Sequence, residues 1–394
     1  MKPLSQELMV RLEQLRKDNL YRQLRTVDSA QGSRIEMNGR ELINFSSNDY
    51  LGLANHDAVK EGALHAIRDY GAGAGASRLI CGSQRIHHLL EEQLAEFKGL
   101  EAALTFSTGY ATAIGTIPCL VGSGDVVVVD KLVHASLLDG TRLSGAKLRV
   151  FHHNDLDDLD SILRWAEKTV DAKGNILIIT ESVFSMDGDQ APLRELVALK
   201  ERFGAWLMVD EAHAVGLFGC RGSGLIEELG LVDQVEIQMG TLGKALGAAG
   251  GYIAGSRVLI DFLINRARSF IFSTAPNPAS LGAASAALKL LEKEGSSRRQ
   301  TVWMLAKTLQ GIIFPSATTS PASLIHPFHV GEESQALSLA KSLFENGLMV
   351  PAIRYPTVPK REARLRITVT HGHTIEDLRT LESALRLDPR DPMN

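Results

Sequence analysis

From about residue 45 the chain repeats one local pattern, in which a short apolar, often β-branched run is followed by an amphipathic stretch of about ten to fifteen residues. Successive parallel strands need a crossover of that length, so the pattern predicts an α/β fold with a mostly parallel sheet covered by helices. Seven strands are expected, over 102–106, 125–130, 148–151, 175–180, 205–210, 235–240 and 251–255. Before them, residues 5–24 set Leu8, Leu12, Leu15 and Leu20 among charged residues, the stripe of a docking helix. After about 285 the pattern changes to helical runs through Leu288–Leu291 and Ser334–Phe344 and short strands over 348–350 and 364–370. The expected division is an N-terminal arm over 1–45, a large domain over 46–285 and a smaller α+β domain over 286–394.

Composition narrows the class of partner. With 394 residues, 44% hydrophobic and 22% charged, the chain can bury a large core, and its formal net charge of −4 with no long basic run gives no reason to expect nucleic acid. No apolar stretch reaches the length of a bilayer span, so no membrane partner is expected either. The cysteines, Cys81, Cys119 and Cys220, are isolated in sequence and form neither a disulfide framework nor a Cys-x-x-Cys site, which fits the cytoplasm. His87-His88, His152-His153 and His371-Gly-His373 have no metal-ligand spacing and read as structural or solvated.

In an open α/β sheet, ligands bind outside the carboxyl ends of the strands, and the chemically capable residues cluster there. Asp210 ends an apolar strand, where an uncompensated carboxylate would be costly. His213 follows three residues later, and Lys244 stands in Met239-Gly-Thr-Leu-Gly-Lys-Ala-Leu-Gly247 just past the next strand. A P-loop is excluded there, because Gln238 and Ala245 occupy the positions that would need glycine and a hydroxyl. A carboxylate, a donor and an amine in this order are what a Schiff-base cofactor such as pyridoxal phosphate requires. Its phosphate finds donors in Ser107, Thr108, Gly109 and Tyr110, at what should be a helix N-terminus, and in the hydroxyl of Thr241. Arg366 lies in an apolar alternating segment and needs an anionic partner or an open face. Gly71-Ala-Gly-Ala-Gly75 lacks both the spacing and the preceding strand of a dinucleotide fingerprint and is read as flexible backbone.

Nine blocks in order carry a resemblance over nearly the whole chain: Asn44–Leu53, Gly75–Leu79, Phe106–Tyr110, Asp130–Ser136, Glu181–Asp189, the Asp210 and Lys244 runs, Phe272–Pro276 and Ala363–Thr368. They resemble the α-oxoamine synthases, pyridoxal phosphate enzymes of the aspartate-aminotransferase fold (fold type I) that join an amino acid to an acyl-CoA with loss of carbon dioxide. The resemblance implies that Lys244 forms the Schiff base and serves as the base at Cα. Asp210 would pair with the pyridine nitrogen, His213 and Ser185 would contact the phenolic oxygen, and His134 would stack on the ring. Ser273 and Thr274 match a segment lent by the partner subunit to the phosphate site, which implies a homodimer with shared active sites. Arg366, assisted by Asn48, matches the grip on the amino acid's carboxylate, and Arg354 is a second candidate.

Ser77 and Arg78 are candidates to meet acyl-CoA, and Arg22 or Arg25 to meet a distal carboxylate on its acyl chain. The Phe106–Tyr110 run and the Arg354–Pro359 segment point to the branch that takes alanine and pimeloyl-CoA, although Tyr355 stands where that branch often carries proline. Glycine with acetyl-CoA is the alternative, and a subunit without chemistry is disfavoured by the presence of Lys244.

Overall fold

A computed structural model describes residues 3–170 and 173–386. The chain divides into two compact units, one of Met1–Asn48, Met186–Gly188 and Val302–Asn394, the other of Asp49–Ser185 and Asp189–Thr301. This differs from the expected division. The boundary falls at 302, within the helix Pro278–Ile313, and the N-terminal segment forms one unit with the C-terminal part.

The larger unit holds a seven-stranded sheet. Across it the strands run Ala102–Phe106, Gly251–Gly255, Ile237–Thr241, Trp206–Asp210, Ile176–Glu181, Val126–Asp130 and Lys147–Phe151. Six are parallel in sense, and Gly251–Gly255 runs against both neighbours. Every residue of Val126–Asp130 and Ile176–Glu181 is buried, as expected of strands covered on both faces. Their β-branched side chains suit that setting, since they pack well on a pleated surface and restrict few rotamers there.

The covering helices begin and end where local chemistry dictates. Asp155 accepts from the N–H groups of Asp157 and Asp158 to start Leu156–Thr169, and Gly99, in the left-handed region at φ 69°, ends Arg85–Lys98. Gly71, at φ 83° and ψ −178°, closes Asp57–Tyr70 in a different conformation that also favours glycine, so the first glycine of the Gly71–Gly75 run is a helix stop.

The smaller unit contains two three-stranded sheets, Arg34–Met37, Arg40–Asn44 and Leu348–Met349 in one, Ile325–Gly331, Ala363–Thr368 and Ala352–Ile353 in the other. Asn38 and Gly39, both at positive φ, make the two-residue turn of the first hairpin. Arg40–Asn44 also pairs in parallel with Leu348–Met349, which explains why the first 48 residues group with the last hundred. The N-terminal helix is shorter than expected, Leu4–Lys17, and none of its residues is buried. Among the described residues no helix is long and apolar enough to cross a membrane.

Candidate active site

The strand-end residues of the larger unit converge as the sequence suggested. Lys244 Nζ lies 2.7 Å from His213 Nε2, and the other ring nitrogen of His213 is 2.5 Å from the hydroxyl of Tyr50. The turn that presents Lys244 is closed by its own backbone: Leu242 N–H donates to the Gly250 carbonyl, Ala248 N–H to that of Leu242, and Gly247 N–H to that of Lys244. Gly247 sits at φ 61°, and a Cβ there would come within 2.4 Å of Ala54 N, so this position requires glycine on two counts.

Asp210 is buried and accepts from Ala212 N–H at 2.9 Å. Burial pushes its carboxyl above the ordinary range, and the charge of Lys244 opposes that push. Directly opposite in the neighbouring strand stands Glu181, equally buried, whose carboxylate accepts the backbone N–H of His134. Burial and the neighbouring Asp210 raise Glu181 to about 8. Two carboxyls this close in a dry site disfavour joint ionisation, so a cation arriving beside Asp210 stabilises the local charge.

His134 caps the helix Ala135–Ser144, its Nδ1 accepting from Ser136 N–H at 3.3 Å and lying 2.8 Å from the Ser136 hydroxyl. These contacts leave Nε2 as the protonated nitrogen of the neutral ring. The residue retains exposed surface, but surrounding atoms desolvate the ring and lower its pKa, with Asp210 pulling the other way. Ser185 is half-buried in the loop that follows Ile176–Glu181.

The residues expected to hold an anion lie at a helix N-terminus. Gly109 and Tyr110 carry the first N–H groups of the helix Gly109–Leu120, which have no intrahelical carbonyl to meet, and Thr108 caps that helix by accepting from Ala111 N–H at 2.9 Å. Ser107 and Thr108 are exposed. Gly251 packs so closely on Gly109 that a Cβ there would lie 2.8 Å from Gly109 Cα, and one on Gly109 would point towards Thr241 Oγ1 at 4.0 Å. The missing side chains thus leave bare backbone beside a hydroxyl. The Tyr110 side chain turns to Asp139, to which its hydroxyl donates at 2.9 Å. Ser77 and Thr274 face each other in an isolated antiparallel bridge, with Ser273 half-buried beside it. Ile80, Leu79 and Phe272 stand exposed next to this bridge.

Arg78 corrects one expectation. It is buried, makes a two-pronged ion pair with Glu91 at 2.8 and 2.9 Å and lies over the Phe270 ring, so its charge is consumed within the fold. The remaining substrate candidates belong to the smaller unit. Asn48 is half-buried, and Arg366 is buried in the strand Ala363–Thr368, donating to Thr368 Oγ1 at 3.0 Å. Arg354 donates to the Tyr21 carbonyl at 3.0 Å. With Arg16, Arg22 and Arg25 it lines a cleft of about 900 Å³ in which no carboxylate appears among the described lining residues. Desolvation and the nearby Arg22 lower the pKa of Arg354, as expected where like charges crowd without an anion. Arg25 packs over Phe344 and lies 3.8 Å from Met349 Sδ.

Tyr50 and Glu181 escaped the sequence reading. Glu181 ends an apolar run just as Asp210 does, a signal that could have marked it, whereas nothing around Tyr50 in sequence distinguishes it from a core aromatic.

The model of the family described as "Aminotransferase class I and II" matches residues 40–385. The chain belongs to that family. It is 47% identical over 377 residues to the 8-amino-7-oxononanoate synthase of Geobacter sulfurreducens, covering 95% of each chain, and 44% identical over 372 residues to that of Thermoanaerobacter pseudethanolicus, covering 93% of each. Among solved structures, the serine palmitoyltransferase of Sphingomonas wittichii aligns with a TM-score of 0.90 at 30% identity over 98% of both chains. The 8-amino-7-oxononanoate synthase of Francisella tularensis aligns with a TM-score of 0.74 at 28% identity, covering 88% of this chain and 96% of that one. Fold type I is thereby established for this member of the aminotransferase family. The residues present fit pyridoxal phosphate: an amine, a buried acid and a glycine-cleared helix N-terminus share one end of the sheet.

Proposed function

We propose that this chain catalyses the decarboxylative condensation of L-alanine with pimeloyl-CoA to 8-amino-7-oxononanoate, coenzyme A and carbon dioxide, a step of biotin synthesis, in the cytoplasm. The observation that carries the reading is the Asp210, His213 and Lys244 constellation in a chain that shares 47% identity with a synthase of that name. The serine palmitoyltransferase of Sphingomonas wittichii superposes with a higher TM-score than the Francisella tularensis synthase, but it is 30% identical to this chain against 47% for the Geobacter sulfurreducens synthase, and side chains rather than backbone select substrates.

Pyridoxal phosphate, once bound, supplies an electron sink that stabilises negative charge at the amino acid's Cα. Lys244 Nζ would hold it and would serve as the base at the amino acid's Cα. Asp210 holds positive charge on the ring nitrogen, which sustains the sink. His213 and Ser185 would donate to the phenolic oxygen, and His134 would stack on the ring. Gly109, Tyr110, Thr241, Ser107 and Thr108 hold the phosphate.

Arg366, with Asn48 and secondarily Arg354, grips the substrate carboxylate; a planar guanidinium clamps that group in two places. Ser77 meets the acyl-CoA. Arg22 or Arg25 neutralises the distal carboxylate of the pimeloyl chain, a role supported by the four-arginine cleft. The working unit is a homodimer in which Ser273 and Thr274 serve the partner's phosphate site, supported by the exposed apolar side chains flanking Thr274.

The test is a coenzyme A release assay that crosses alanine, glycine and serine with pimeloyl-, acetyl-, succinyl- and palmitoyl-CoA. Alanine with pimeloyl-CoA should give the highest kcat/KM. A clear preference for glycine with acetyl-CoA would overturn the substrate assignment.

A further inference from the structure

His153 belongs to a histidine pair for which the sequence suggested no chemistry, and it occupies a specific position. Its Nδ1 is 2.9 Å from Asp130 Oδ1 and its Nε2 is 2.7 Å from Asp189 Oδ2. Carboxylates only accept, so both ring nitrogens must donate, and a neutral imidazole can donate from only one. The ring is therefore an imidazolium. In keeping with that, the two carboxylates outweigh partial burial and raise its pKa to about 10.

Each carboxylate also defines the base of a loop. Asp130 ends its strand and accepts Leu132 N–H at 2.8 Å, while its backbone carbonyl accepts from Val133, the residue before His134. Asp189 closes the loop that starts at Phe184: its carbonyl accepts Phe184 N–H at 3.0 Å, and Val183 and Gln190 form an isolated bridge outside it. Ser185 lies inside that loop. Asn154, held at φ 56°, reinforces the junction through its N–H to Asp130 Oδ2 and its side-chain amide to Asp189 Oδ2 and the Gln190 carbonyl. The His153 ring also makes an edge-to-face contact with Phe184, with centroids 4.4 Å apart.

We propose that His153 is a positioning residue, an ionic strut between Asp130 and Asp189 that holds the His134 loop and the Ser185 loop at a fixed separation for the cofactor ring. The inference rests on the reading that His134 and Ser185 contact the cofactor. Charge-assisted bonds at both ends make such a strut stiff, and small displacements of groups around a reacting centre cost rate disproportionately.

The test uses the full-length protein, stripped of cofactor and then reloaded. H153Q keeps a polar side chain of similar reach but has no charge and a single donor end. It should speed hydrogen exchange at residues 131–134 and 184–190, raise the dissociation constant for pyridoxal phosphate roughly tenfold and shift the absorption maximum of the loaded protein. H153R, which can bridge two carboxylates as a cation, should restore part of the affinity and the spectrum. D189N reports on the strut from its other end if H153Q fails to fold. Faster loop exchange with unchanged affinity and spectrum would overturn the positioning role, as would failure of H153R to restore what H153Q loses. S185A and H134A run alongside: if they too leave affinity and spectrum unchanged, the site assignment has failed and the strut's role falls with it. If they alter both while H153Q does not, the strut alone is refuted.

Discussion

Asp210 and Glu211 are adjacent in sequence and both buried, yet their surroundings are finished to different degrees. Glu211 receives Lys98 Nζ at 2.5 Å and Ile226 N–H at 3.0 Å, and Lys98 also donates to the Ser223 carbonyl, so charge and hydrogen-bonding capacity are matched within the fold. Asp210 is paired less completely: one backbone N–H at 2.9 Å, a second carboxyl directly across the sheet, and a pKa raised by burial. A fold that can satisfy one buried carboxylate so fully and leaves its neighbour under electrostatic tension supports the proposal that the second is the ligand's partner. On that proposal the Glu211 cluster maintains the platform, and the Asp210 cluster uses it.

Breaking the structural half should have the largest effect. K98A strands Glu211 without its cation in a dry interior, and we expect a loss of about 3–5 kcal/mol in unfolding free energy, measured by urea denaturation of the cofactor-free protein. D210N should do the reverse. Stability should hold or rise slightly, because the amide removes a charge that burial opposes, while kcat/KM falls at least about a hundredfold, or about 2.7 kcal/mol of barrier. A D210N protein that turns over normally with cofactor bound would remove the distinction between the two carboxylates.

A smaller effect is expected in the other unit, where His326 and His373 are buried and burial lowers both to about 4. A folded pKa below the unfolded value of about 6.5 means that the unfolded chain binds more protons between those limits. Stability should therefore be complete above about pH 6.5 and decline below it, by about 2 kcal/mol at about pH 5 for His326. H326L should flatten that acid limb in chemical denaturation across the pH range. The finest adjustment is Y50F, which removes the hydroxyl beside His213 Nδ1 without emptying the core. Its expected cost is about 0.5–1.5 kcal/mol in stability, together with a change in the pH profile of kcat, since Tyr50 no longer biases which His213 nitrogen carries the proton.

How much of this was legible in sequence follows from the range of each interaction. The seven strands lie within two residues of their expected ends, because apolar runs and the glycines that stop helices are local signals. The order of Asp210, His213 and Lys244 could be read for the same reason, each following a strand. The grouping of residues 1–48 with those after 302 depends on Ile43 meeting Leu348, a pairing that local periodicity does not encode. Arg78 was misjudged because its partner, Glu91, lies in the next helix and faces it only once that helix packs. The sequence leaves His153 structural or solvated, because its two partners, one at a strand end and one in a loop, lie far apart in the chain.

The central claim is that Lys244 is the covalent anchor of the cofactor beside Asp210. Borohydride reduction of the pyridoxal phosphate-loaded protein, followed by peptide mass mapping, tests it directly. A phosphopyridoxyl group on the peptide containing Lys244, and on no other lysine, is the expected result. A label on a different lysine, or no stable label in protein that binds the cofactor, would contradict it.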